Sequence, residues 1–176
     1  MKIPPYLCSL IKNNMKLELK NIKVNLTFSE ETTMFQADIF ANGKKIGYAQ
    51  NDGHGGPDCY NAYEGQREAL REAEKFAETL PSDFYEFGGK KHEFKMNLEH
   101  WIGKQVDAHL KAKEDAKLLK KMETKIIIER ANGTHSELGY KSKMKIKDMP
   151  QHLVEKLVSA AKASLQEGDV ILNKNI

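Results

Sequence analysis

The sequence predicts an α+β fold: an antiparallel sheet covered by helices, one of them long. Three observations carry this. Apolar residues alternate with polar ones through most of the stretch from Leu17 to Gln50, the two-residue period of strands with one buried face. From Gln66 onward the spacing changes to three and four, the period of amphipathic helices. Two Asn-Gly pairs, Asn42-Gly43 and Asn132-Gly133, follow such strand-like runs, and this pair suits a tight hairpin because both central residues need positive φ.

Taken in order, Leu17, Leu19, Ile22, Val24, Leu26 and Phe28 define the first strand, and a phase slip near Asn21 predicts a bulge or a strand start there. Ser29–Thr33 is a polar turn. Phe35, Ala37 and Ile39 share one face of the second strand, and Lys45 to Gln50 is the third, giving a three-stranded meander. After a glycine-rich loop, Ala69, Leu70, Ala73, Phe76, Ala77 and Leu80 predict a helix over 66–80 that Pro81 ends. Residues 81–96 read as a loop. Its four aromatics, Phe84, Tyr85, Phe87 and Phe94, are expected to pack down as a lid on the core, with a binding surface as the alternative.

Asn97 is the expected N-cap of a helix reaching about Glu123. At 1.5 Å per residue such a helix is ~40 Å long, more than a compact domain of this size needs. Its middle, Lys111 to Lys117, is mostly charged, so the far end is expected to project, break or pack on a partner chain. Ile126–Ile128 predicts a short strand. Tyr140 to Lys147 alternates as a strand would, with Met144 and Ile146 on one face and Lys141, Lys143, Lys145 and Lys147 on the other. Asp148 is the expected cap of the last helix, Pro150 lies near its first turn, and Gly168 closes it. Val170–Leu172 is a terminal strand that needs an existing sheet to pair with.

The chain has 176 residues, enough for one domain with a real core or two very small ones. The patterning assigns residues 1–16 to an irregular arm and 17–176 to one domain, with its weakest joint at 81–96. Met15 is an alternative start, since regular patterning begins at Leu17. Hydrophobic residues at 40% and charged residues at 30% place the chain among globular rather than disordered sequences. A net charge of +3 is too even to argue for nucleic acid by itself. The two cysteines, Cys8 and Cys59, do not form a disulfide framework, and a reducing cytoplasm is the expected setting. No apolar run approaches the roughly 18 residues needed to cross a bilayer, so no membrane partner is expected.

The candidate site is the loop Asn51-Asp52-Gly53-His54-Gly55-Gly56, flanked by Tyr48, Tyr60 and Arg67 as stacking and charge partners. Its glycines permit tight turning and close approach to a ligand, and backbone N–H groups in such loops can cradle an anion. It carries neither the Gly-Lys-Ser/Thr of a phosphate loop nor the spacing of a dinucleotide fold. Asp52, His54, Asp58 and Cys59 are acceptable metal ligands, but no pair has a recognised spacing, and no metal or other cofactor is assigned. Cys59 with His54 does not amount to a nucleophile and base, so no catalytic residue is assigned. The row Lys141, Lys143, Lys145 and Lys147 is a secondary basic surface, read as a solvated strand face or as a phosphate contact.

Two resemblances bear on function. The run Phe35-Gln36-Ala37-Asp38-Ile39-Phe40-Ala41-Asn42-Gly43-Lys44-Lys45-Ile46-Gly47, followed by Ala69, Ala73 and Leu80, resembles the second hairpin and closing helix of a double-stranded-RNA-binding domain over residues 34–80. The basic helix start of that family is replaced here by Gln66-Arg67-Glu68-Ala69-Leu70-Arg71. Over most of the chain from about residue 20, Gly47-Tyr48-Ala49-Gln50-Asn51-Asp52-Gly53-His54-Gly55-Gly56 and the ending Gly168-Asp169-Val170-Ile171-Leu172-Asn173 resemble uncharacterised small proteins of bacteriophages and mobile elements. That resemblance implies a non-enzymatic binding protein of the host bacterial cytoplasm. The expected job is counter-defence, by sequestering a nucleotide-like or phosphate-bearing signal or by blocking a host protein. A double-stranded-RNA or other nucleic-acid binder and a metal-dependent hydrolase are the alternatives, and the long helix implies a homo-oligomer.

Overall fold

Strand β1 (Leu17–Val24) turns its apolar residues to one side only because it carries the expected bulge. Asn21 takes φ +54°, and the pairing with strand β2 (Phe35–Ala41) shifts register between Lys20 and Lys23. This restores the phase, so that Ile22 and Val24 return to the face of Leu17 and Leu19. The first strand stops at Val24 rather than Phe28: Asn25 caps a single 3₁₀ turn over Leu26–Phe28, and Leu26 and Phe28 are exposed. The Asn42-Gly43 hairpin forms as expected, with φ of +51° and +80°, and leads into β3 (Lys44–Asn51).

The computed structural model describes residues 15–174, so Cys8 and most of the expected N-terminal arm lie outside the described residues. The fold is α+β, with antiparallel sheets and one long helix. The chain divides into two compact units, one reaching to Leu110 and the other starting at Lys111.

In the first unit the meander has four strands, not three. A strand β4 (Cys59–Ala62) pairs antiparallel with β3, giving the order β1-β2-β3-β4. Four residues carry too weak a period to be read from sequence. The glycine-rich loop therefore joins two strands instead of a strand and a helix. Helix α1 (Arg67–Ala77) follows. Residues 81–96 form a hairpin of β5 (Asp83–Phe87) and β6 (Lys90–Phe94), not a loop. Its aromatics do not form a lid: Phe84, Tyr85, Phe87 and Phe94 are exposed, Phe87 to 74%. The tight turn at Gly88-Gly89, both at positive φ, sends the chain back on itself and leaves both hairpin faces wet. The core collects Phe35, Ala37, Ile39 and Ala49 from the sheet, Leu70, Ala73 and Ala77 from α1, and Leu98, Trp101, Ile102 and Val106 from helix α2 (Leu98–Met122). Asn97 caps α2 as expected, its Oδ1 accepting the His100 N–H at 2.7 Å.

The last part of α2 belongs to the second unit, where Lys111–Lys117 are all exposed. Strand β7 (Ile126–Glu129) is the centre of a small sheet ordered β8-β7-β9, flanked by β8 (His135–Leu138) and the expected terminal strand β9 (Val170–Ile171). Helix α3 (Gln151–Ala163) packs Leu157 and Ala161 against Ile126, Ile128, Ile146 and Met149. Pro150, not Asp148, is its N-cap residue and supplies no side-chain cap. The helix ends at Ser164, and Gly168, at φ +85°, serves the turn into β9 rather than the helix end.

The strand expected over Tyr140–Lys147 is absent. The chain leaves the sheet at Gly139, where a Cβ would lie 2.9 Å from Lys125 Cγ. Tyr140 then donates its hydroxyl to the Leu153 carbonyl at 3.1 Å, and the Ile146 N–H donates to the Glu123 carbonyl at 2.8 Å, opening a 3₁₀ turn over Ile146–Asp148. The stretch is spent on α3 and the end of α2, which alternation alone does not reveal.

Candidate functional site

One side chain organises the glycine-rich loop. Asn51, the last residue of β3, is the one polar residue buried as a whole among the described residues, 7% exposed. Its amide is fully used. Oδ1 accepts from Thr32 Oγ1 at 2.7 Å and from the Gly53 N–H at 2.9 Å. Nδ2 donates to Asp58 Oδ1 at 2.9 Å and to the Gly56 carbonyl at 3.4 Å. An amide has two donors and two acceptor lone pairs, so nothing is left over for a ligand.

Gly53 is required where it stands. At φ +88° it lets its carbonyl accept the N–H groups of Glu30, Glu31 and Thr32, and a Cβ there would lie 2.4 Å from the Phe28 carbonyl oxygen. The His54 N–H donates to Asp52 Oδ1 at 3.2 Å, and the Gly55 N–H to Thr32 Oγ1 at 3.2 Å. The three successive N–H groups of Gly53, His54 and Gly55, the kind that cradle an anion, are thus committed to the protein's own side chains.

The predicted site residues do not converge. Asn51 points inward, whereas Asp52 and His54 are exposed, His54 turning to Glu30 with Nδ1 3.1 Å from Oε2. Hydrogen bonding to Glu30 raises the His54 pKa above its ordinary value. Tyr48 lies on the other face of the sheet, its ring 5.7 Å from Tyr63, whose hydroxyl donates to Asp38. Tyr60 pairs with Ala49 and packs against the core; burial raises its pKa, with the Glu74 charge adding to the effect. Arg67 is exposed at the start of α1. Among the described residues no three His, Cys, Asp or Glu side chains are placed to hold a metal ion.

What the loop builds is one wall of a cleft of about 480 Å³ inside the first unit. The segment Glu31–Thr33, Asn51 and Gly56–Asp58 face the first turns of α2, from Asn97 to Asp107, with Phe94 of the hairpin at the edge. Four carboxylates line it: Glu31, Asp58, Glu99 and Asp107. Asp58 sits over α2 at Gly103, where an added Cβ would stand 3.4 Å from Asp58 Oδ2. Burial pushes the Asp58 carboxyl above its usual range, and the Asp107 charge pushes the same way, against the hydrogen bond from Asn51. At the rim, His100 Nε2 and Lys104 Nζ both hold Asp83 at 2.7 Å, anchoring the hairpin, and the rings of Phe94 and His100 are 4.6 Å apart.

Comparison with protein-family models, curated proteins and solved structures found no match.

In the sequence Asp58 stood out as a candidate metal ligand and as an acidic neighbour of the loop that repels phosphate, whereas Glu31, Glu99, His100 and Asp107 did not stand out as site residues. These come from three separate segments. The one local signal is Asn51-Asp52-Gly53, where an Asn two residues before a glycine suits an Asx turn. The lysine row is also rearranged. Lys141, Lys143, Lys145 and Lys147 are exposed but share no strand face, and Lys145 pairs with Glu123 at 2.8 Å.

Proposed function

We propose that the chain is a non-enzymatic binding protein whose target is a basic segment of another protein, received by the cleft between the glycine-rich loop and the start of α2. Of the two targets the sequence reading allows, a blocked host protein and a sequestered phosphate-bearing signal, the cleft's electrostatics favour the first. The observation that carries this is the carboxylate lining. Glu31, Asp58, Glu99 and Asp107 repel a phosphate and attract an ammonium or guanidinium. The N–H groups that would have offset that repulsion are already bonded.

A second feature supports a protein rather than a small cation. The β5–β6 hairpin carries four exposed aromatics, and one of them, Phe94, also borders the cleft. Aromatic residues are the commonest anchors of protein interfaces. In this reading the partner's arginine or lysine enters the cleft and its apolar neighbours cover the hairpin. The resemblance to proteins of phages and mobile elements makes a host protein the natural partner, and blocking it the proposed role in counter-defence.

The test is calorimetric titration with capped peptides bearing one arginine flanked by leucine or tryptophan, alongside cyclic and linear nucleotides. The proposal expects peptide binding that weakens with salt and no nucleotide heat. Saturable nucleotide binding with inert peptides would overturn it.

A further inference from the structure

The second unit holds a groove of about 580 Å³ that the proposed function leaves unused. Its floor is apolar: Met122 from the end of α2, Ile146 and Met149 from the 3₁₀ turn and the approach to α3, and Val154 from α3. Leu119 stands at its edge and is 64% exposed, a large apolar side chain left in water. The walls are fixed by Asn173, whose amide donates to the carbonyls of Met122 and Lys125 at 3.1 and 3.0 Å and accepts the Ile127 N–H at 2.8 Å. With that amide spent and Gln151 turned to Glu155, the groove offers few polar groups for orienting a guest.

Cations outnumber anions among its charged groups. Lys145, Lys147 and Lys174 line the groove against a single carboxylate, Glu123, which Lys145 already holds at 2.8 Å. Among the described residues Lys147 and Lys174 form no ion pair. An apolar floor with unspent cations at the rim is complementary to a molecule with a greasy body and an anionic head. The volume lies within the roughly 300–1,000 Å³ of small-molecule sites. We propose that this groove binds a free single-chain amphiphilic carboxylate, its chain along Met122, Ile146, Met149 and Val154 and its head at Lys147 and Lys174.

The test uses the full chain with methyl-labelled methionine, titrated with decanoate, decanol, decyl phosphate and decyltrimethylammonium while the Met122 and Met149 methyl resonances are followed. Decanoate is expected to shift both resonances saturably, at least tenfold more tightly than decanol, with no response to the cation. The surface variant Lys147→Glu with Lys174→Glu is expected to cut decanoate affinity at least tenfold and leave decanol binding unchanged. Equal affinity for decanoate and decanol, or silent Met122 and Met149 methyls, would overturn the proposal. Tighter binding of decyl phosphate, or capture by vesicles of anionic phospholipid without any decanoate response, would give the groove to a phosphate headgroup instead. A dimer in sedimentation that Leu119→Glu dissociates would give it to a second copy of the chain. Either result contradicts the assignment.

Discussion

Replacing Asn51 with alanine removes the whole set of bonds that shapes the glycine-rich loop. Three of them are short, to Thr32 Oγ1, the Gly53 N–H and Asp58 Oδ1, at 2.7, 2.9 and 2.9 Å, and the fourth, to the Gly56 carbonyl at 3.4 Å, counts for little. A neutral hydrogen bond contributes about 1 kcal/mol net and one to a charged group somewhat more, so the loss is about 3 kcal/mol. The Gly53 N–H is buried and gains no water in exchange. For a unit of roughly 100 residues, 1 kcal/mol moves the melting midpoint by about 4–8 °C, so Asn51→Ala is expected to lower it by about 12–24 °C. The chain's one tryptophan, Trp101, is buried in the core of the same unit, so its fluorescence reads the unfolding of that unit. Asp52→Ala, one position along, removes only the solvent-exposed bond to the His54 N–H and is the comparison, expected to cost no more than about 1 kcal/mol. A loss below about 1 kcal/mol for Asn51→Ala would refute the claim that this amide holds the loop.

Three further outcomes follow from the charges. Asp58→Asn keeps an acceptor for Asn51 and removes a carboxylate whose pKa is raised by burial and by Asp107, so the first unit is expected to melt higher at pH 7. That gap closes as pH falls and the wild-type carboxyl takes up its proton, and a lower melting point at pH 7 would contradict this. The raised His54 pKa means that its pairing with Glu30 stabilises fully below the unfolded value and is lost as pH rises through the folded one. Nuclear magnetic resonance titration of the ring should show the His54 pKa falling in Glu30→Gln. Glu137 is held at about 2 by hydrogen bonds from Lys121 and then Lys125, so its stabilisation is complete above about 4.5 and lost as pH falls toward 2. Circular dichroism of acid unfolding should show Glu137→Gln flattening that part of the profile.

The parts of the fold that were legible in the sequence are those where neighbouring residues decide the outcome. The bulge at Asn21, the Asn42-Gly43 turn, the cap at Asn97 and the strand Ile126–Ile128 all rest on local chemistry or an unbroken period. Strand β4 was not legible because its four residues owe their conformation to pairing with β3. Residues 140–147 misled for the opposite reason, since their alternation is real but the Tyr140 hydroxyl bonds to α3 and the Ile146 N–H to Glu123 instead of to a neighbouring strand. The candidate site follows the same division. The conformational role of the glycines could be read from sequence, and Gly53 bears it out. The convergence of Glu31, Asp58, Glu99 and Asp107 could not be, because the fold joins a turn before β2, a loop after β3 and the first turns of α2. Phe84, Tyr85, Phe87 and Phe94 were expected to pack as a lid because aromatic residues usually bury, yet a two-stranded hairpin whose faces are both exposed has no second layer for them to enter.

Recognition of positive charge by the cleft stands or falls on the reversal of one of its own charges. Asp107 is exposed on the surface of α2. Titrating wild type and Asp107→Lys with two peptides that differ only in one arginine or one glutamate gives four affinities. Wild type is expected to prefer the arginine peptide, and Asp107→Lys to lose most of this preference. Equal affinity of both proteins for both peptides would contradict it.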